Sequence, residues 1–115
     1  MWRDEAYLLD MLLAAQKVQQ FTAGSTWDQF QRDELLQSAV MHQIQLIGEA
    51  ARRISPEFRE THAEIPWARI IGMRHRLVHD YFQIDLERIW GVITKDIPAL
   101  IPLIQPLVPP EEQEG

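Results

Sequence analysis

The chain has 115 residues, 46% of them hydrophobic, no cysteine and a formal charge of −6. A length of this order supports one domain that removes roughly two-thirds of its unfolded surface from water without covalent staples. The missing cysteines exclude disulfides, thiolate metal sites and a cysteine nucleophile, and fit a reducing compartment.

The first five residues, Met1 to Glu5, lack a signal pattern, and no apolar run approaches membrane-spanning length. A soluble, cytoplasmic protein with no membrane association is the expectation. The negative charge disfavours broad electrostatic binding of nucleic acid, which normally rests on lysine and arginine against phosphate. It is unevenly spread: Glu111, Glu112 and Glu114 lie in an acidic tail, and without them the charge is −6 + 3 = −3. Arg52, Arg53, Arg69, Arg74 and Arg76 could then form a local positive patch on an acidic body. Taken singly, Arg52, Arg53 and Arg69 read first as solvated surface charges.

From Asp4 to about Gln20, apolar residues Leu8, Met11, Leu12, Ala15 and Val18 recur at helical spacing. Ala23-Gly24-Ser25 ends that helix. Thr26-Trp27-Asp28-Gln29 reads as a capping box opening a second helix that runs to about Arg53, with Leu36, Val40, Ile44, Ile47, Ala51 and Ile54 on its inner stripe. Gly48 interrupts this helix at a cost of about 1 kcal/mol relative to alanine, which a close helix crossing would explain. Glu49, next in line, is either exposed or an acceptor for Arg74 or for a histidine, and His42 reads as a surface or partly buried histidine. Ser55-Pro56 starts a short helical segment and Pro66 opens another helix, both with proline at the first helical position. The helix from Pro66 carries the chain through Arg74 toward Tyr81. Asp85 caps the last helix, whose stripe is Leu86, Ile89, Trp90, Ile93 and Ile97; Pro98 and Pro102 should bend or shorten it.

No alternating strand pattern, repeat or linker appears. The predicted fold is all-α, an antiparallel bundle of four main helices plus a short one over residues 1–106, followed by a disordered acidic tail at 107–115. Trp2, Trp27, Trp67 and Trp90 are many large rings for one small core, which favours a homodimer.

The chemically dense stretch is Gly72-Met73-Arg74-His75-Arg76-Leu77-Val78-His79-Asp80-Tyr81-Phe82. On an ideal helix Ile70, Arg74, Leu77, Val78 and Tyr81 share a stripe, so Arg74 sits among apolar residues. A guanidinium keeps its charge and needs acceptors there, or a shared cleft. His75 and His79 are one turn apart. Arg74 and His79 are about 140° apart on an undistorted helix, so they converge only if the helix bends or another element completes the cleft.

The run Arg74-His75-Arg76-Leu77-Val78-His79-Asp80-Tyr81 resembles the arginine, four residues, histidine, one residue, tyrosine signature of HepT-like toxins in the HEPN superfamily. Ile47-Gly48-Glu49-Ala50-Ala51-Arg52-Arg53-Ile54 is similar to the second-helix signature of the same group. The resemblance spans about Asp4 to Gln105 and implies a small helical bundle that dimerises to bring two arginine–histidine sites into one cleft. It further implies a metal-independent ribonuclease toxin acting on RNA, paired with an MntA-like nucleotidyltransferase antitoxin that transfers AMP to the motif tyrosine. On that reading Arg74 and His79 are catalytic, Tyr81 is both a supporting group and the modification site, and His75, Arg76 and Glu49 support the substrate. His75 stands where relatives carry a polar residue, often asparagine.

Two other readings compete. His75 and His79 are spaced like helical zinc ligands, but no third ligand or H-E-x-x-H glutamate accompanies them, so no metal and no cofactor is expected. A non-catalytic HEPN module that binds a nucleotide or docks a nucleotidyltransferase would use the same arginine and histidine to hold phosphate. Without the resemblance, the same residues would read first as a structural polar network.

Overall fold

The computed structural model describes residues 2–73 and 84–110, and among them every regular element is helical. Helix α1 spans Trp2–Thr22, α2 Trp27–Arg32, α3 Glu34–Arg53, α4 Pro56–Thr61 and α5 Trp67–Ile71. After residues 74–83 come α6 (Leu86–Gly91), a π-helical turn (Val92–Asp96), α7 (Ile97–Ile104) and a 3₁₀ turn (Gln105–Leu107).

The stripe expected on the first helix is the core-facing one: Leu8, Met11, Leu12, Ala15 and Val18 are all 0% exposed. They pack against Val40, Ile44, Ile47 and Ala51 of α3, and α7 closes the core with Ile97, Leu100 and Ile104. Asp4 sets the direction of the α1–α3 pair. Its buried carboxylate accepts from the Ser55 backbone N–H at 2.9 Å and from the Ser55 hydroxyl at 2.7 Å. The start of α1 therefore meets the end of α3, and the two run antiparallel. The same hydroxyl accepts from Phe58 N–H at 3.2 Å, so the serine that follows the C-cap of α3 caps α4 and is itself held by α1.

Turn chemistry behaves as the sequence predicts at most boundaries. Gly24, at φ 75°, supplies the left-handed residue that ends α1. Thr26 and Gln29 form the reciprocal capping box, with bonds of 3.2 and 3.0 Å. Pro56 stands in the first turn of α4, and the Asp85 side chain accepts from Arg88 N–H at 3.1 Å to cap α6.

Four expectations need correction. The single second helix is two, α2 and α3, because Asp33 breaks it. Its side chain accepts from Leu36 N–H at 3.0 Å, opening a new helix, while its own N–H still bonds Phe30 O at 3.3 Å. The Gln37 amide covers the carbonyls of Phe30 and Gln31 at 2.8 and 3.1 Å, so the break leaves those acceptors satisfied. Pro66 is the N-cap of α5 rather than its first residue, and α5 is interrupted after Ile71, with Gly72 N–H closing back on Ala68 and Ile70; Met73 is helical again, and the expected course from Arg74 to Tyr81 lies outside the described residues. The last helix is disturbed ahead of its prolines: Ile97 N–H reaches back five residues to Val92 O, which makes the π turn, and Pro98 then starts α7 while Pro102 is accommodated within it. Packed structure also continues past residue 106, since Val108 is only 2% exposed and Leu107 rests on the core.

Trp27, Trp67 and Trp90 find places within one chain. Trp27 and Trp90 pack with Phe30 at ring separations of 6.4 and 5.4 Å and with each other at 6.1 Å, tying α2 to α6. Trp67 is buried, and its indole N–H donates to His62 O at 3.0 Å. These three rings therefore give no argument for a dimer, and the Trp2 side chain lies outside the description. No described helix is long and apolar enough to cross a membrane.

Candidate functional site

The end of α5 and one face of α6 and the π turn enclose an open cleft of about 360 Å³, lined by Arg69, Met73, Arg88, Gly91, Val92, Lys95 and Asp96. Three local features produce it. Arg88, Gly91, Val92 and Lys95 fall at offsets of three, four and seven, which stack on one side of a helix. Gly91 and Val92 are small, so the floor between the two cations stays low. The π turn widens the backbone where Lys95 and Asp96 project.

Charge in the cleft is arranged by two carboxylates. One terminal nitrogen of Arg69 donates to both Asp96 oxygens, at 3.1 and 3.2 Å, linking α5 to the π turn. Asp85, while capping α6, also holds Arg88 Nε at 3.2 Å. Both arginines are more than half exposed, so these pairs position side chains more than they stabilise the fold. Lys95 is exposed and has no ion-pair partner among the described residues.

Of the residues expected from sequence to form the site, Arg74, His75, Arg76, His79 and Tyr81 lie outside the described residues. Their neighbours in the chain do not. Met73, directly before the motif, is 2% exposed and lines the cleft, and Arg88, shortly after it, lines the opposite wall. Gly48 approaches this region from α3: a Cβ placed there would lie 3.5 Å from Ile70 O and 3.8 Å from Ile71 O. The crossing expected from the glycine is thus present, although an added methyl would meet these atoms at ordinary contact distance.

Glu49 is half-buried and bonds Arg52 on its own helix at 3.0 Å. It lines a second groove, between α1 and α3, with Tyr7, Asp10, Lys17, Gln43 and Arg53 among its neighbours. The cluster of arginines imagined as one patch is therefore divided: Arg53 belongs to that groove, Arg52 to Glu49, and Arg69 to the cleft beside the motif. Sequence reasoning missed Arg88, Lys95 and Asp96. The signal was available, because Arg88 and Lys95 are seven residues apart on the polar side of the last helix.

An all-α domain with a cleft lined by Arg69, Arg88 and Lys95, and with an arginine–histidine–tyrosine motif in its sequence, is the class that structure and sequence define together. The chain belongs to the Ribonuclease HepT-like family, whose model matches residues 11–107. It is similar to a protein of Thermococcus cleftensis named as a probable ribonuclease HepT, 36% identical over 94 residues that cover 82% of this chain and 86% of that one. A protein of Methanocaldococcus jannaschii named as a candidate RNase is 34% identical over 96 residues, covering 84% of this chain and 88% of that one. Another so named, from Caldanaerobacter subterraneus subsp. tengcongensis, is 36% identical over 94 residues, covering 82% and 84%. No solved structure matches the chain significantly.

Proposed function

We propose that this protein is a metal-independent RNA endonuclease, the toxin of a toxin–antitoxin pair, with Arg74 and His79 as its catalytic residues. The observation that carries the reading is the Arg74–His79–Tyr81 motif standing, at the family's spacing, inside the matched residues of a Ribonuclease HepT-like chain.

Cleavage without a metal needs a base for the 2′-OH proton, donors for the charge on the pentacoordinate phosphorus and an acid for the leaving oxygen. The 2′ oxygen attacks phosphorus, the bond to the 5′ oxygen breaks, and the products are a 2′,3′-cyclic phosphate and a free 5′-OH. An unperturbed imidazole titrates near neutral pH, which suits His79 to take or give the proton. Arg74 binds the phosphate through parallel hydrogen bonds and stays charged throughout. His75, Arg76, Tyr81 and Glu49 support the substrate. Dependence on the 2′-OH makes the enzyme refuse DNA.

Two copies of the chain form the working cleft, and an MntA-like nucleotidyltransferase silences it by moving AMP from ATP onto the Tyr81 oxygen, releasing pyrophosphate. The adduct adds negative charge and bulk where RNA must enter. End-group analysis of RNA fragments tests the chemistry: cyclic phosphate termini from the parent, and none from Arg74→Ala, are expected. Tyr81→Phe should show no gain in mass after incubation with the nucleotidyltransferase and ATP, and a gain that persists would contradict the assigned modification site.

A further inference from the structure

We infer that the cleft between α5 and the α6–π turn segment is a subsite for the backbone of single-stranded RNA, with Lys95 as its unneutralised cation. The inference rests on the ribonuclease reading and assigns residues to it that lie outside the motif.

Charge comes first. In a chain of net −6, this cleft collects Arg69, Arg88 and Lys95 against one carboxylate, Asp96, among the described lining residues. Arg69 and Arg88 are already held by carboxylates, so they present fixed dipolar walls, whereas Lys95 offers three donors on a flexible stem with no described carboxylate to answer them. A positive concavity on an otherwise acidic surface concentrates phosphate there and repels it elsewhere.

Position comes next. Met73, which directly precedes the motif in the chain, and Arg88, which shortly follows it, both line the cleft. The lining also limits what is recognised. Among the described residues it holds no aromatic ring on which a base could stack and no amide side chain to read a base edge, and the cleft is open rather than enclosed. Those described residues offer contacts to phosphate rather than to a base.

The test uses the full, unmodified chain and a fluorescent 2′-O-methyl oligonucleotide, which lacks the hydroxyl needed for cleavage, titrated over a range of salt. Lys95→Glu should weaken binding at least about fivefold at low salt and lower the salt slope by about 0.7, the value for one phosphate contact on a single strand. Lys95→Arg should bind like the parent, and so should Lys17→Glu, an equal charge change in the other groove. Because Lys95 is exposed, these variants should fold as the parent does. If Lys95→Glu matches the parent in affinity and slope while the parent still cleaves ordinary RNA, the subsite is overturned and the ribonuclease reading stands. If Lys95→Glu keeps its RNA affinity but loses association with the nucleotidyltransferase, the cleft is a protein contact and the inference is equally overturned. If the parent neither binds the probe nor cleaves RNA, both fall.

Discussion

Between α1 and α3 the packed core is largely apolar, and Leu8, Leu12, Ala15, Val18, Val40, Ile47 and Ala51 are fully excluded from water. Around the cleft, α5 and α6 are five and six residues long, the backbone turns through a π segment, and cations meet carboxylates at the surface. Long helices need an amphipathic face to be stable, and α1 and α3 have one. The short elements are instead fixed by caps, by the Trp27–Phe30–Trp90 cluster and by attachment to that frame. The difference teaches where sequence change is tolerated: the α1–α3 pair sets stability, and the cleft is free to carry charge because it contributes little to holding the fold.

Substitutions can break or sharpen this contrast. Ile47→Ala, at the centre of the frame, should cost about 2–5 kcal/mol in urea unfolding, since it opens a void that close-packed helices cannot collapse. A loss under 1 kcal/mol would mean that the frame is loosely packed. Asp4→Ala removes the acceptor for two Ser55 donors and should cost about 1–3 kcal/mol, with α4 the first element to lose amide exchange protection. Asp33→Ala removes the cap that separates α2 from α3 and should lower stability by about 1 kcal/mol. Asp96→Asn breaks a pair that is half solvent-exposed on the arginine side; the change in melting temperature should correspond to about 1 kcal/mol or less. A large drop there would erase the distinction between frame and cleft.

The same contrast explains what the sequence made legible. Helices that bury a continuous stripe announce themselves, and boundaries carried by a local side-chain bond, at Thr26, Ser55 and Asp85, are readable because donor and acceptor lie within three residues of each other. The break at Asp33 was equally local, but the surrounding stripe of α3 made one long helix the simpler reading. The π turn has no residue signature: it arises where Ile97 N–H selects Val92 O, one turn ahead of prolines that drew attention to themselves. Arg74, His79 and Tyr81 were legible only as a motif, because their chemistry depends on convergence that helical periodicity alone does not supply. Arg88, Lys95 and Asp96 were overlooked because each, taken singly, is an ordinary surface charge; they acquire meaning only when α5 is laid beside α6.

The central claim is that the motif cuts RNA without a metal. Purified, unmodified chain should cleave RNA in excess EDTA, whereas His79→Ala, with unchanged helical content, should not. Equal cleavage by both proteins, or none by either across several RNA classes with the unmodified mass confirmed, would contradict the account and leave a non-catalytic module that holds phosphate or docks a nucleotidyltransferase.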